Sequence, residues 1–140
     1  MIKFVTGDVK KENPYVVPVN CVGVMGIGLA EQTKELHPWV FPEYKRLCKY
    51  GIKPGCCYLF SKNGTTLIFA TTKSHWEDPS KPAWIVSCIE QLLVVAEVLK
   101  SETVGVPKLG CGYGGQNWAI VKPAMERILS SSKVLFKIYE

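Results

Sequence analysis

A short glycine-rich loop between an apolar run and a helical pattern constrains this chain more than any other stretch. The apolar run Tyr15–Val19 stops at Asn20, and three glycines follow between Gly23 and Gly28. A helical pattern begins directly afterwards, at Leu29. A strand, a glycine loop and a helix start in this order form an anion site, because unpaired backbone N–H groups and the positive end of the helix dipole face the same ligand. The loop therefore predicts a diphosphate site. The alternative is a tight strand-to-helix turn without a ligand.

The spacing of these glycines does not fit two common nucleotide-binding motifs. The loop reads Gly-x-x-Gly-x-Gly, whereas the dinucleotide fingerprint reads Gly-x-Gly-x-x-Gly. The loop also lacks the Gly-Lys-Ser/Thr that ends a P-loop. The sequence thus offers backbone donors for phosphate without either of these fingerprints.

Length and composition indicate a globular protein. The 140 residues suit one domain, residues 1–140, and 47% of them are hydrophobic. No apolar run approaches the ~20 residues of a membrane span, and the N-terminal segment is too polar for a signal peptide. We therefore expect a cytoplasmic monomer that makes no membrane contact. The net charge of +5 favours an anionic ligand or nucleic acid, although an ordinary solvated surface also accounts for it.

The cysteines and histidines show no metal-site spacing. Six cysteines are present, but no Cys-x-x-Cys occurs, and His37 and His75 stand alone. A disulfide scaffold is not expected in a chain that has several apolar strands and no sign of secretion. We expect buried free thiols for most of these cysteines, no metal and no cofactor.

Alternating strand and helix patterns predict a layered fold. The predicted strands are Ile2–Thr6, Tyr15–Val19, Cys57–Phe60, Thr66–Ala70, Thr103–Pro107 and Val134–Tyr139. The predicted helices are Leu29–His37, Val40–Tyr50, Pro82–Lys100 and Ala119–Leu129. Asn63-Gly64 predicts a hairpin, and Pro18 predicts an irregularity in its strand. Ser80 and Asn117 are predicted helix caps. The order predicts an α/β fold, a three-layer α/β/α domain with a central mixed β-sheet.

Two further loops follow predicted strands. The segment Lys108–Gln116 is rich in glycine, and the polar segment Thr71–Asp78 contains Lys73. Ligands in open α/β sheets bind outside the carboxyl ends of the strands. We therefore expect both loops to line one crevice together with the first glycine loop.

Three motifs occur in order along the chain: Val19-Asn20-x-x-Gly-Val-Met-Gly-x-Gly, Thr72-Lys73-x-His75-Trp76 and Leu109-Gly110-Cys111-Gly112-x-Gly-Gly-x-x-Trp118. Thr6-Gly7-Asp8 precedes them. Together they resemble the macrodomain family, and within it the branch that contains the antitoxin DarG and the human terminal ADP-ribose glycohydrolase. The resemblance covers almost the whole chain, and it is more specific for the fold and the ligand class than for catalysis.

This resemblance implies a macrodomain fold and an ADP-ribose ligand. On this basis Asp8 meets the adenine amino group, Asn20 lies near the distal ribose, and the two glycine loops wrap the diphosphate and that ribose. The residues expected to contact ADP-ribose are Asp8, Val9, Asn20, Gly23, Val24, Met25, Gly26, Ile27, Gly28, Thr71, Leu109, Gly110, Cys111, Gly112, Tyr113, Gly114 and Gly115.

The resemblance also implies a catalytic role for Lys73. In the human relative, a lysine at this position attacks C1″ of the distal ribose, and an aspartate in the second glycine loop assists. Lys73 is present here, but Gly114 occupies the place of the aspartate, as it does in the DarG-like pattern. The complete lysine–aspartate mechanism therefore does not transfer. The DarG-like pattern implies removal of ADP-ribose from a DNA base, with Lys73 at the scissile region.

Three functions remain open on the sequence alone. The leading one is an ADP-ribosyl glycohydrolase whose partners are ADP-ribosylated DNA or ADP-ribosylated protein. The second is an ADP-ribose 1″-phosphate phosphatase, an activity also found among macrodomains. The third is a binding module that reads ADP-ribose without chemistry, and the missing aspartate favours it.

Several side chains near the motifs have two possible uses each. His75 could act as a general acid or base, but a structural hydrogen bond is the simpler use. Trp76 and Trp118 could stack on a nucleobase or pack in the protein. Tyr113 could cover the distal ribose or tuck beneath its own loop. Cys111 is expected to be a packed small residue, because nothing in its surroundings predicts a reactive thiolate.

Overall fold

Six strands form one mixed sheet in the computed structural model, which describes residues 1–140. The strands are β1 (Ile2–Val5), β2 (Tyr15–Val19), β3 (Cys57–Lys62), β4 (Thr65–Thr71), β5 (Thr103–Val106) and β6 (Leu135–Tyr139). Their order in the sheet is β1-β6-β5-β2-β4-β3. Strand β3 runs antiparallel to β4, and every other neighbouring pair is parallel. The predicted mixed sheet is confirmed.

Four helices cover the two faces of the sheet. They are α1 (Gly28–Leu36), α2 (Val40–Lys49), α3 (Pro82–Leu99) and α4 (Trp118–Leu129), and a short 3-10 helix spans Val9–Lys11. Because side chains alternate along a strand, Tyr15 and Val17 of β2 pack with α1 and α2. Val16 points to the other face and packs with α3 and α4. This alternation produces the three predicted layers, each face with its own hydrophobic core.

The Asn63-Gly64 pair forms the predicted hairpin turn between β3 and β4. Both residues have positive φ, +51° for Asn63 and +83° for Gly64, as a two-residue turn of type I′ requires. Lys62 pairs with Thr65 directly beside the turn, so β3 extends two residues beyond its predicted end at Phe60. The turn fixes the register of β4, and through β4 the position of the segment that contains Lys73.

The irregularity expected beside Pro18 does not occur on the β4 side. Strand β2 pairs with β4 along its whole length, and Pro18 lies opposite Ala70. The carbonyl of Pro14 accepts from the Gly105 N–H of β5, so alternation turns Pro18 toward β5 as well. The β2–β5 ladder contains one registered pair, Tyr15 with Gly105. The missing N–H of Pro18 therefore costs no ladder hydrogen bond, because the registered β2–β5 pairing does not extend to it.

Ser80 does not cap α3, contrary to the sequence prediction. The cap residue is Lys81, which is extended and makes no side-chain cap hydrogen bond. The backbone N–H of Ser80 donates instead to the carbonyl of Gly114, and its buried hydroxyl has no partner. The other predicted cap is confirmed, because Asn117 Oδ1 accepts from the N–H of Ala119 at 2.9 Å.

Helix α3 corrects the expectation that no apolar run approaches a membrane span. Its 18 residues are long and apolar enough, by length and composition alone, to cross a membrane. In the fold, Ile85, Ile89 and Leu92 of this helix are fully buried against the sheet. A helix that carries such a core face is also what the inner helix of a globular domain requires.

Candidate functional site

A cavity of about 900 Å³ opens at the carboxyl ends of β2 and β5. From this point the chain leaves the sheet in two directions. Strand β2 leads through α1 and α2 to β3 and β4, whereas β5 leads through α4 to β6 on the other side. Pro18 of β2 and Pro107 after β5 both line the cavity. Such a switch point is where open α/β sheets bind ligands, and this volume lies within the range of small-molecule sites.

Asn20 shapes the first glycine loop. Its Oδ1 accepts from the backbone N–H groups of Val22, Gly23 and Val24 at 3.0, 3.1 and 3.3 Å, and its Nδ2 donates to the Val24 carbonyl at 2.9 Å. The Tyr44 hydroxyl donates to both oxygens of Asn20, at 2.7 and 2.9 Å. Burial raises the pKa of Tyr44, so its hydroxyl keeps the proton that it donates. The asparagine side chain therefore holds the loop and has little capacity left for a ligand.

We expect Asn20→Ala to lower the free energy of unfolding by about 2 kcal/mol, because it leaves three loop N–H groups, one of them buried, without an acceptor. Equilibrium unfolding in urea measures the change. Tyr44→Phe is the matched control, since it removes one donor and leaves the three loop hydrogen bonds, and we expect a loss of about 1 kcal/mol. An Asn20→Ala protein as stable as the wild type would contradict this role.

The second glycine loop is closed by hydrogen bonds and tied to the segment before α3. Gly110 and Gly115 adopt left-handed backbone, with φ of +73° and +79°. The N–H of Gln116 donates to the Gly110 carbonyl at 2.9 Å, and the Gln116 side chain donates to the Ser80 carbonyl at 2.7 Å. The Ser80 N–H donates to the Gly114 carbonyl at 2.9 Å. The loop is therefore a fixed element of the site.

Gly114 has no room for a side chain. A Cβ built at this position would overlap the Gly110 carbonyl oxygen and would lie 2.7 Å from Ser80 Oγ. Backbone and a buried hydroxyl cannot move aside as the tip of a flexible side chain can. With this loop conformation, the position cannot carry the aspartate of the human relative.

Both loops present unpaired backbone donors to the cavity. No hydrogen bond within the chain engages the N–H groups of Gly26, Ile27 and Gly28 in the first loop, or of Gly112, Tyr113 and Gly114 in the second. All six residues line the cavity. Helix α1 begins at Gly28 without a side-chain cap, which leaves its positive dipole end available. The loops also meet, because a Cβ at Gly28 would lie 3.4 Å from the Tyr113 ring. This arrangement suits an anion with several oxygens, such as a diphosphate.

The turn that carries Lys73 is fixed to the end of β2. The N–H of Thr72 donates to the last carbonyl of β2 at 3.1 Å, and the N–H of Cys21 donates to the Ser74 carbonyl at 3.0 Å. Lys73 lines the cavity and forms no ion pair. Its Nζ donates to the Trp76 carbonyl at 3.3 Å. An amine that is partly exposed and free of carboxylates is therefore held beside the glycine loops.

Asp8 lies in another part of the cavity lining. Its Oδ1 accepts from the backbone N–H and from the Nζ of Lys10, at 3.0 and 2.9 Å. These hydrogen bonds to Lys10 lower the pKa of Asp8, so the carboxylate stays ionised. Its Oδ2 makes no hydrogen bond within the chain and can accept one from a ligand. Val9, buried beside it, adds an apolar wall.

Comparisons with known proteins place this arrangement in a family. The family model described as Macro domain matches residues 16–125, which include both glycine loops and the Lys73 turn. The chain belongs to the macrodomain family. The solved macrodomain of Mycobacterium tuberculosis DarG is 35% identical, with a TM-score of 0.92 over 99% of this chain and 97% of that chain. The predicted family, branch and fold are confirmed.

Two further relatives connect this macrodomain to larger proteins. Thermosipho africanus DarTG, solved in complex with ADP-ribose, is 31% identical, with a TM-score of 0.90 over 99% of this chain and 41% of that chain. A Mycobacterium tuberculosis protein named DNA ADP-ribosyl glycohydrolase is 35% identical over an alignment of 142 positions, which covers 96% of this chain and 40% of that protein. The macrodomain thus spans about two fifths of the length of the curated relatives that it matches.

Most of the residues predicted to bind ADP-ribose line the cavity of this macrodomain. Those that do are Asp8, Val9, Asn20, Val24, Gly26, Ile27, Gly28, Gly110, Gly112, Tyr113 and Gly114, together with the predicted catalytic residue Lys73. Those that do not are Gly23, Met25, Thr71, Leu109, Cys111 and Gly115. Contact of each lining residue with ADP-ribose stays a prediction.

Thr71 was predicted one position too early along the chain. Its side chain is fully buried, and its hydroxyl donates to the Lys53 carbonyl at 2.9 Å and accepts from the Cys56 N–H at 3.0 Å. Thr72 lines the cavity in its place. Strand β4 runs to Thr71, so the first residue beyond the strand is the one that reaches the crevice.

Met25 and Leu109 anchor their loops in the two cores. Met25 is 1% exposed and packs with Tyr44 and Phe69 on one face of the sheet. Leu109 is fully buried and packs with Ile85 on the other face. Their side chains therefore point away from the ligand side, which the motif alone did not reveal.

Several lining residues were missed as site residues. Those with polar or aromatic side chains are Lys10, Gln32, Thr72, Trp76, Lys108, Tyr139 and Glu140. Lys108 had a usable signal, because it directly precedes the second glycine loop at the end of a strand. Gln32 and Tyr139 had none, since their places depend on how α1 and β6 pack around the crevice.

Burial disfavours the thiolate form of the cysteines near the site. All six cysteines are free thiols, and only Cys88 is fully buried, whereas we expected burial for most of them. Burial raises the pKa of Cys21 to about 11 and also raises the pKa of Cys111. Cys21 donates to the Lys73 carbonyl at 3.4 Å, so it supports the turn. His75 also has a structural role, because its Nδ1 accepts from the N–H of Glu77 at 3.2 Å.

Proposed function

We propose that this macrodomain binds ADP-ribose and hydrolyses the glycosidic bond between ADP-ribose and a DNA base. One observation carries the proposal: two rows of unpaired backbone N–H groups line the same cavity as Lys73. Backbone amides bind a diphosphate without side-chain bulk. The relatives support the substrate, because the Mycobacterium tuberculosis relative is named DNA ADP-ribosyl glycohydrolase and Thermosipho africanus DarTG was solved with ADP-ribose.

The polar groups of the cavity support one orientation of ADP-ribose. The free Oδ2 of Asp8 is an acceptor for the adenine amino group, and Val9 gives the adenine ring an apolar contact. The two glycine loops then receive the diphosphate, and Lys108, which forms no ion pair, adds positive charge to the lining. This orientation leaves the distal ribose for Lys73.

The proposed reaction exchanges one bond at C1″ of the distal ribose. The bond from C1″ to the base nitrogen breaks, a water oxygen bonds to C1″, and the base nitrogen receives a proton. The transition state has oxocarbenium character, so a diphosphate held nearby stabilises its positive charge. Lys73 serves this step either as a nucleophile, whose transient adduct water hydrolyses, or as a cation that stabilises the departing base. A rapid acid quench that traps, or fails to trap, an ADP-ribosyl adduct on Lys73 separates the two roles.

One observation favours a second candidate, a reader that binds ADP-ribose without cleaving its linkage. The only carboxylates in the cavity lining are Asp8 and Glu140. Asp8 is bound to Lys10, and Glu140 is bound to Lys122. No carboxylate assists Lys73, and Gly114 cannot supply one. The reader and the hydrolase predict the same binding and differ only in turnover.

The test is incubation of the protein with an oligonucleotide that carries ADP-ribosylated thymidine. The hydrolase releases free ADP-ribose and returns the unmodified strand, and both products are separated by chromatography. ADP-ribosylated protein and ADP-ribose 1″-phosphate are parallel substrates. Release from protein alone would redirect the proposal to protein substrates, and release of phosphate would identify a phosphatase. No cleavage of any substrate, with ADP-ribose binding retained, would leave the reader.

A further inference from the structure

Trp76 differs from the other three tryptophans of the chain. It is 48% exposed, whereas Trp39, Trp84 and Trp118 are partly buried. Trp76 is also among the residues that line the cavity. A tryptophan normally buries most of its large ring. Packing within the protein therefore does not account for an exposed indole at the edge of a ligand cavity.

The turn places Trp76 next to the amine of Lys73. The Nζ of Lys73 donates to the Trp76 backbone carbonyl at 3.3 Å. The His75 ring stacks on the indole, with ring centroids 5.5 Å apart and an angle of 28° between the planes. The N–H of Glu77 donates to His75 Nδ1 and holds the imidazole in place. The indole therefore has one supported side and a large exposed surface.

The charges of the same segment favour recognition of a ring over recognition of phosphates. Lys73 and Lys81 carry two positive charges, and Glu77 and Asp78 carry two negative charges. A segment without net charge gives little attraction to a phosphate backbone. An aromatic platform, by contrast, binds any base through its π-face.

We propose that Trp76, supported by His75, is the stacking platform for the nucleobase that carries ADP-ribose, and that it makes the site selective for base-linked ADP-ribose. This inference rests on the proposed function, because the base adjoins the distal ribose only in that substrate. Trp76 binds the leaving group and does not take part in bond breaking. Removing the ring therefore weakens binding of the modified strand and leaves binding of free ADP-ribose unchanged.

The experiment compares the affinity of each protein for two ligands: free ADP-ribose, and a short oligonucleotide that carries one ADP-ribosylated thymidine. Each Trp76 variant is combined with Lys73→Ala so that the strand stays intact, and Lys73→Ala alone is the reference. We expect Trp76→Ala to lower the affinity for the oligonucleotide about 5- to 100-fold, the usual effect of losing one base stack. We expect the affinity for free ADP-ribose to change less than about twofold. We expect Trp76→Phe to keep most of the affinity for the oligonucleotide. Tyr50→Ala is the control, because Tyr50 is an aromatic residue, 82% exposed, that does not line the cavity.

Two results would overturn the platform. An equal loss of affinity for both ligands would mean that Trp76 maintains the structure of the turn. An unchanged affinity for the oligonucleotide would mean that no base stacks on Trp76. The binding comparison needs no turnover. A wild-type protein that leaves the strand intact therefore contradicts the hydrolase and still allows the platform to be tested.

Discussion

Replacing Lys73 with alanine is expected to lower kcat on ADP-ribosylated DNA by about 100-fold or more and to leave the affinity for ADP-ribose within about threefold. The reason is the position of the amine. Lys73 shares the cavity with the glycine loops, but the diphosphate is held by backbone N–H groups that the substitution does not touch. Single-turnover cleavage of a labelled oligonucleotide measures the first quantity, and calorimetric titration with ADP-ribose measures the second.

The matched control for this substitution is Lys81→Ala. Lys81 is exposed, follows the same turn and does not line the cavity; its Nζ lies 4.8 Å from the centre of the Trp84 ring. We expect it to keep the wild-type kcat. Equal loss in both variants would point to a general electrostatic effect on DNA binding. Unchanged turnover in Lys73→Ala would remove Lys73 from the mechanism.

Gly114→Ala is expected to destabilise the protein strongly, because this glycine lies against backbone at the floor of the cavity. The added methyl group meets the Gly110 carbonyl and the Ser80 hydroxyl, so the loop must open. Overpacking of this kind costs about 1–3 kcal/mol, which lowers the Tm of a domain of this size by about 3–10 °C. ADP-ribose affinity should fall with it, because the N–H groups of the second loop lose their positions.

The matched control is Gly112→Ala, in the same loop. A Cβ at Gly112 meets no atom within 4 Å, so we expect its Tm to stay close to that of the wild type. Gly114→Asp should lower the Tm at least as much as Gly114→Ala does and should not raise turnover. A stable, more active Gly114→Asp protein would show that the loop can accept a carboxylate after all, and would contradict the geometry described above.

The fold and the convergence of the loops could be predicted because both depend on local patterns. The alternation of apolar strand runs, such as Tyr15–Val19, with helical patterns, such as the one after Leu29, predicts the layers. The carboxyl ends of parallel strands then bring the glycine loops and the Lys73 turn to one edge of the sheet. Nothing in this reasoning requires knowledge of side-chain packing, and this part of the prediction agrees with the structure.

The details that failed depend on where single residues point. Thr71 and Thr72 differ by one position, and only the observed end of β4 decides which one reaches the cavity. Ser80 has a typical capping residue type, but its backbone is used by the second glycine loop. The sequence does not separate Trp76 from a core tryptophan, and only its exposure in the structure distinguishes it. Such features arise from contacts between distant segments, which sequence periodicity does not contain.

Calorimetric titration of the folded protein with ADP-ribose tests the central claim most directly, because the claim is that two backbone loops together bind one diphosphate. We predict one-to-one binding that Asn20→Ala weakens by at least about tenfold, since that substitution releases the first loop from its shape. Binding that is absent from a well-folded protein, or that Asn20→Ala leaves unchanged, would contradict the claim.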